Sequence, residues 1–485
     1  MLRRITTGSR QRAFDGPTLS HESCSGLSLL PALVLLFLLP CLLLVRIAHS
    51  AEDGQAVGVY DVLTLSRAVD LALSTQPSLT GARYTVRASE ARVGQARSSY
   101  FPQLNGSASY SRISPAATSG TTTLPSVGGT SAAGTGSGAA AIPEIIPTSS
   151  GTFDQYAGSV GLTQLVYDFG KTSTQVQINK LNTDAARFDL ANVRQTVVLN
   201  VKQAYYNVLQ AQRNAGVSRQ SVKQFEQHLD QARSFLEVGT KSRFDVTKAE
   251  VDLSNARVNL ISAVNQVRLA YVALKNAIGI PTAPDYKLEE ALLYEPFGLS
   301  FEDALDQAYM KRPDLLAQIR RTESSRESIT LARKGYFPAF TANGNYNYTG
   351  SSFPLQSGWS YGLNFSLPIF EGFLTQYQVS EAQSNFGVAS ASQQSLRLDI
   401  HSQVQQGYVN LRDAAERIKA SELGVRQAKE NVDLANGRYG AGVGSPLEVT
   451  DAIVAQSNAE LTYSAALRDY KNAQAAIEKA IGAFR

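Results

Sequence analysis

The chain repeats itself, and this constrains its fold more than any single motif. Leu65-Ser66-Arg67-Ala68-Val69 lines up with Phe301-Glu302-Asp303-Ala304-Leu305 at an offset of 236 residues. Pro77-Ser78-Leu79 pairs with Pro313-Asp314-Leu315, and Tyr100-Phe101-Pro102 with Tyr336-Phe337-Pro338, at the same offset. Later pairs keep a second offset, 203: Tyr167-Asp168 with Phe370-Glu371, Tyr205 with Tyr408, Gly239 with Gly442, Phe244-Asp245-Val246 with Leu447-Glu448-Val449, and Ile278-Gly279 with Ile481-Gly482. Two constant offsets that differ by 33 residues mean one insertion in the first copy, between Pro102 and Tyr167. Ordered matches at fixed spacing mark a duplicated unit. The copies span residues 63–279 and 299–482. A linker at 51–62 precedes them, a second at 280–298 joins them, and a tail at 483–485 follows.

Each copy reads as helix, strand, strand, long helix, turn, helix. No proline occurs between Pro147 and Pro281. Within that stretch apolar and small residues step by three and four: Leu190, Val193, Val197, Val201, Ala204, Val208, Ala211, Ala215, Ser218, Val222, Phe225, Leu229, Ala232, Leu236. This is a coiled-coil seam rich in alanine, which permits close helix packing. A helix from Lys171 to Glu237 reaches ~100 Å at 1.5 Å per residue. The return helix, Phe244 to Gly279, reaches ~55 Å, and a helix over Ser300 to Gly335 adds a similar length. Two short helices stacked end to end then match one long one.

The segments between helices change period from 3.6 to two. Phe340, Ala342, Gly344, Tyr346 and Tyr348 alternate with Thr341, Asn343, Asn345, Asn347 and Thr349. Trp359, Tyr361, Leu363, Phe365, Leu367 and Ile369 alternate with small or polar residues, as do Leu104, Ala108 and Tyr110. Each run has the length of a transmembrane strand. An aromatic face opposite an Asn- and Ser-rich face suits a water-filled barrel, although an amphipathic sheet on a soluble core shows the same alternation. Four strands cannot close a barrel, for which eight is the usual minimum, so a barrel here is shared between copies of the chain. The fold class is thus mainly α with a small β part. Residues 113–152, a Thr/Ser/Gly/Ala/Pro stretch with Glu144 as its one charge, read as a long external loop between two strands.

Composition excludes several functions. Leu27 to Val45 is uncharged over 19 residues and is followed by Ala48-His49-Ser50-Ala51. Residues 1–50 therefore read as an export signal cut after Ser50, or, since the run just reaches bilayer length, as a retained anchor. Five of the 45 basic and two of the 41 acidic side chains lie in that segment, which leaves a nearly neutral body with no nucleic-acid signature. Both cysteines, Cys24 and Cys41, also lie there, and beyond residue 50 only His228 and His401 remain of the histidines. No metal or cofactor set emerges, nor any catalytic cluster. Gly170-Lys171-Thr172 lacks the earlier glycine of a phosphate loop, because that position is Leu165. Asp168-Phe169-Gly170 stands without other kinase elements. Gly440, Gly442 and Gly444 follow a helix rather than a strand, and so read as a helix–helix turn. The turns Val238-Gly239-Thr240-Lys241-Ser242 and Ala441-Gly442-Val443-Gly444-Ser445 carry a glycine to end one helix, then a serine and an acid to begin the next.

The ordered set of duplication, Tyr-Phe-Pro junctions and Tyr439-Gly440-Ala441-Gly442 followed by Leu447-Glu448-Val449 resembles the TolC-like outer-membrane factor family over about residues 60–482. The resemblance implies a homotrimer in the outer membrane, with a twelve-stranded β-barrel and a long periplasmic α-barrel. It implies service as the exit duct of efflux pumps or type I secretion systems, with a periplasmic adaptor and an inner-membrane transporter as partners. By position it assigns Tyr439, Glu448 and Asp451 to the periplasmic gate, while the family's clamp arginine falls on Gly444. It makes Gly239, Thr240, Gly442 and Val443 the adaptor-docking tips. Tyr100, Phe101, Tyr336, Phe337, Trp359 and Tyr361 are the expected lipid-interface aromatics. The competing reading is a non-channel structural coiled-coil protein of the envelope, which needs no amphipathic strands.

Overall fold

The computed structural model describes residues 62–114 and 152–484. The leader at 1–50 and nearly all of the 113–152 loop lie outside the described residues. The element order is β1 (Val62–Leu63), α1 (Leu65–Thr75), α2 (Pro77–Ser98), β2 (Gln103–Ile113), β3 (Phe153–Tyr167), α3 (Lys171–Glu237) and α4 (Arg243–Ile278). It continues with β4 (Lys287–Leu288), α5 (Phe301–Lys311), α6 (Pro313–Arg333), a 3-10 turn (Lys334–Tyr336), β5 (Ala339–Gly350), β6 (Gln356–Ser366), α7 (Leu374–Gly440) and α8 (Pro446–Ala480).

The expected helix over Ser300–Gly335 is broken into α5 and α6. Pro313 has no N–H to donate, and its ring forces Arg312 out of the helical region, to φ −64° and ψ 121°. The first copy breaks at the matching Gln76-Pro77, with Gln76 at φ −69° and ψ 120°. Each break is locked onto the end of the neighbouring hairpin helix. Gly279 and Gly482 end α4 and α8 at φ +90° and +70°. A Cβ on Gly279 would lie 3.2 Å from the Thr75 carbonyl oxygen, and one on Gly482 3.0 Å from the Lys311 carbonyl carbon. Only glycine allows that close passage, which explains why Ile-Gly recurs in both copies. Gln76 Nε2 then donates to the Ala277 carbonyl at 2.8 Å. In the second copy Arg312 replaces it, donating to Asp314 (3.0 and 2.6 Å) and Gln403 (2.9 Å).

The two long helices have 67 residues each, so each runs ~100 Å. Helices α2 and α4 lie along different stretches of α3, tied by Arg187–Glu90 (2.8 Å) and Arg257–Glu226 (2.9 Å). On the other flank of α3 lie α6 and α8, which in turn pack on α7. The result is a wall one helix thick, ordered α2/α4, α3, α6/α8, α7. Its middle holds two cores, one per copy, around Tyr205 and around Ile400 and Tyr470. The paired tyrosines have matching tasks. The Tyr205 hydroxyl sits 2.9 Å from the carbonyls of Leu63 and Glu289, and that of Tyr408 2.8 Å from Leu299 and Ser300. A third core, at the far end of the wall, joins both hairpins.

The strands form one antiparallel sheet in the order β2-β3-β5-β6. Register places Leu104, Leu162, Gly344 and Tyr361 side by side, and Gly106, Val160, Tyr346 and Trp359 beside them. The opposite face stacks Ser107 on Ser159 (Oγ–Oγ 2.8 Å), then Asn347 and Gly358.

Candidate functional site

Two places on the chain carry unusual chemistry: the sheet and the tip of the two hairpins. In the sheet every strand obeys the two-residue period, so the register sorts side chains into two contrasting faces. The apolar face is open. Leu104, Trp359, Tyr361 and Leu363 are each at least 70% exposed. Aromatic residues gather at its two ends. Near the helices lie Tyr100, Phe101, Tyr336 and Phe337, with Phe337 stacked 5.6 Å from Phe169. Towards the far end lie Tyr346 and Tyr348 (5.1 Å apart) and the stacked pair Trp359–Tyr361 (5.6 Å). From Phe340 to Tyr348 the strand advances ~27 Å, close to the height of the apolar band of an outer-membrane barrel. The other face carries Asn105, Ser107, Ser109, Ser159, Asn343, Asn345, Asn347, Ser360 and Asn364 and no charge; the strands' two charged residues, Arg112 and Asp154, pair with each other (3.7 Å) at the far end of the apolar face. Among the described residues both edge strands, β2 and β6, leave their outer edges unpaired. No helix among the described residues is long and apolar enough to cross a membrane.

The tip is built by capping. Gly239 and Gly442 take φ +76° and +77°, the left-handed conformation that ends a helix. Thr240 N donates to the Phe235 carbonyl at 2.9 Å, and Val443 N and Gly444 N donate to that of Arg438 at 3.0 and 2.9 Å. Ser242 and Asp245 form a capping box on α4, and the Ser445 hydroxyl accepts from Glu448 N at 3.2 Å on α8. Lys241 Nζ reaches the Gly444 carbonyl at 3.4 Å and so links the two turns. Four apolar side chains stand out from this end, Val238, Phe244, Val443 and Leu447, at 58–75% exposure.

The sequence-assigned gate residues separate into two environments. Tyr439 is fully buried in the core that joins the hairpins, 5.0 Å from the His228 ring and 5.5 Å from Phe235, with Lys241 Nζ 5.2 Å above it. Burial pushes its phenol up, and nearby Asp245 adds to this. Glu448 and Asp451 share the exposed face of the first turns of α8, away from buried Val449, Ala452 and Ile453. Glu448 is bridged by Arg438 (3.2 Å), whereas Asp451 has no ion-pair partner among the described residues. Gly444 is required by the backbone: a Cβ there would stand 2.8 Å from Tyr439 N.

Sequence reasoning missed two residues. Asp252 is buried on α4, paired with Lys248 and accepting from the Thr450 hydroxyl of α8 at 3.0 Å, so it ties one hairpin to the other. An acid on the Ala249–Leu253–Ala256 stripe with a lysine four residues earlier is the signal that marks it. His228 is 3% exposed and lies beside Phe225 and Leu229 on the α3 seam. Among the described residues no group of acids and histidines could hold a metal ion.

The chain is similar to known proteins. A family model described as outer membrane efflux protein matches residues 68–280 and 304–483. Outer membrane protein TolC of Escherichia coli is 26% identical over 344 residues, covering 67% of this chain and 69% of that protein. Outer membrane efflux protein BepC of Brucella suis is 23% identical over 376 residues, 76% of this chain and 74% of that protein. The Campylobacter jejuni CmeC outer membrane channel superposes with a TM-score of 0.68 at 20% identity, covering 86% of this chain and 85% of that one. The chain belongs to the outer membrane efflux protein family, a family of channel proteins, and is an outer-membrane protein with a large periplasmic helical body.

Proposed function

We propose that three copies of this chain close into one passive duct, the outer-membrane exit of an efflux pump completed by a periplasmic adaptor and an inner-membrane transporter. The observation that carries this is the sheet: four strands, two free edges, one exposed apolar face and one uncharged polar face. Strands β2 and β6 run in opposite directions, so β6 of one copy can pair with β2 of the next, and three copies give a closed twelve-stranded barrel. Closure removes both edges, turns the aromatic face to lipid and lines the channel with Asn and Ser. The helical wall has matching open flanks. Val388, Leu398 and Val409 on α7, and Val258, Ile261 and Val272 on α4, are each at least 60% exposed. Joining these flanks between copies buries both rows. A coiled-coil spacer with no channel leaves the sheet's apolar face in water, which its exposed Leu and aromatic area makes costly.

At the far end, the exposed Val238, Phe244, Val443 and Leu447 around Gly239, Thr240 and Gly442 offer the adaptor an apolar docking surface. Glu448 and Asp451 from three copies place six carboxylates around the narrow end, and like charges held there favour cations. Tyr439 holds the closed tip by packing. The duct works without catalysis, by conduction alone. Single-channel recording of wild type against the double variant Glu448→Gln, Asp451→Asn in planar bilayers is the test. Loss of cation preference with conductance retained is expected. Unchanged selectivity in a folded variant removes the acidic ring, and absence of any conductance in wild type removes the duct.

A further inference from the structure

The core that joins the hairpins at the tip contains a flaw that packing alone does not explain. His228 is 3% exposed, and neither Nδ1 nor Nε2 has a hydrogen-bond partner. The Tyr439 hydroxyl beside it is also buried and unpartnered. Three unsatisfied polar atoms therefore meet where α3 of the first hairpin touches α7 of the second. Buried polar groups are normally hydrogen-bonded, so such a cluster holds the tip in a state that gains less from closure than an apolar core would. Parting the hairpins lets water reach all three atoms.

We propose that His228 is a proton-sensitive latch, whose protonation parts the two hairpins at the tip. The proposal rests on the tip being the end of the duct that opens. An imidazolium has two N–H donors and a charge, and this core offers no solvent and, beside the ring, only the Tyr439 hydroxyl as an unpaired acceptor. From α4, the carboxylates of Asp252 and Asp245 face the ring and favour the charged form, while Lys248 opposes it. Asp252 is held by Lys248 and Thr450, and Asp245 is held by Ser242, so neither is free to swing onto the imidazole. From the turn, Lys241 lies over the Tyr439 ring. On α7 the neighbouring Arg438 pairs outward with Glu448 of α8. Burial accordingly lowers the affinity of His228 for a proton.

The sign follows from linkage. The parted state exposes His228 with an ordinary value near ~6.5, and the packed state holds it lower. Above that pH both states are neutral at this site and the packed tip is favoured. As pH falls below it the parted state gains a proton more readily than the packed one. From pH 7.5 to 5.5 the ratio of parted to packed tip rises, with a ceiling of about tenfold per chain set by one pH unit below the exposed value.

Hydrogen exchange followed by mass spectrometry on the full-length assembly in detergent tests this. Exchange is corrected for the intrinsic pH dependence, with the core around Tyr205 as internal control. For wild type, opening of segments 225–250 and 432–453 is expected to rise severalfold, up to about tenfold, between pH 7.5 and 5.5. His228→Phe and His228→Leu are both expected to flatten that dependence. A wild-type tip insensitive to pH overturns the proposal, and so does either folded variant that keeps the full response. Conductance recorded on the same samples separates the two claims. Tip exchange that responds to pH while current does not refutes the gate reading and leaves the latch standing.

Discussion

Replacing Tyr439 by phenylalanine is expected to tighten the tip. The ring is fully buried, 5.0 Å from His228 and 5.5 Å from Phe235, and phenylalanine keeps those contacts. What is lost is a hydroxyl with no hydrogen-bond partner. Removing a buried unsatisfied group recovers ~1–3 kcal/mol of desolvation. The small void left by one oxygen takes back ~1 kcal/mol. The net is a gain of ~0–2 kcal/mol, and ~1 kcal/mol corresponds to roughly fivefold slower exchange of the amides around Arg438–Ser445. Tyr439→Ala, by contrast, opens a cavity between the hairpins and is expected to cost ~3–5 kcal/mol. Hydrogen exchange at the tip, compared among the three proteins at one pH, is the assay. A Tyr439→Phe tip that exchanges several-fold faster than wild type refutes the reasoning, because it shows that the hydroxyl makes a bond in the working assembly and acts as a clamp.

Three further outcomes follow from the same geometry. Burial pushes the Asp314 carboxyl up, but hydrogen bonds and charge from Arg312 outweigh it and hold the group below the usual carboxylate range. Its contribution is therefore complete above ~3.9 and lost as pH falls through the lowered value, and Arg312→Gln, which installs the first copy's residue, should cost ~3–5 kcal/mol near neutral pH in thermal unfolding. Gly444→Ala should loosen the tip to limited proteolysis more than Gly442→Ala: the first drives a Cβ to 2.8 Å from Tyr439 N, while the second has open space and meets only a left-handed backbone cost of ~1–2 kcal/mol. Asp252→Ala leaves the buried Thr450 hydroxyl without its acceptor between the hairpins, and should cost ~1–3 kcal/mol, read as faster exchange at the start of α8.

The long helices were legible because nothing in them competes. From Lys171 to Glu237 there is no proline, and the three-and-four spacing runs without a break to Gly239, so the bounds match the structure. The strands were legible because Asn and Ser alternate with Tyr, Leu and Trp for as long as a membrane is thick. The break at Arg312-Pro313 was not, although the proline is plain. The apolar spacing continues from α5 into α6, and periodicity hides a break when both pieces pack on the same neighbour. The tip was legible only in its local part. Glycine, serine and acid spell out the caps, but the meeting of Tyr439 with His228 joins residues from different copies, and no local rule reaches that far. Gly444 shows the same limit from the other side. By spacing it reads as one more turn residue, whereas the turn needs the space that a side chain would fill: a Cβ would stand 2.8 Å from Tyr439 N.

The central claim is that copies of this chain close one barrel, and native mass measurement of the purified protein in detergent tests it most directly. Four strands with two free edges require more than one chain, and the homotrimer that the family resemblance implies predicts a single species of three times the chain mass. A species of one chain that still conducts ions across a planar bilayer would contradict the account.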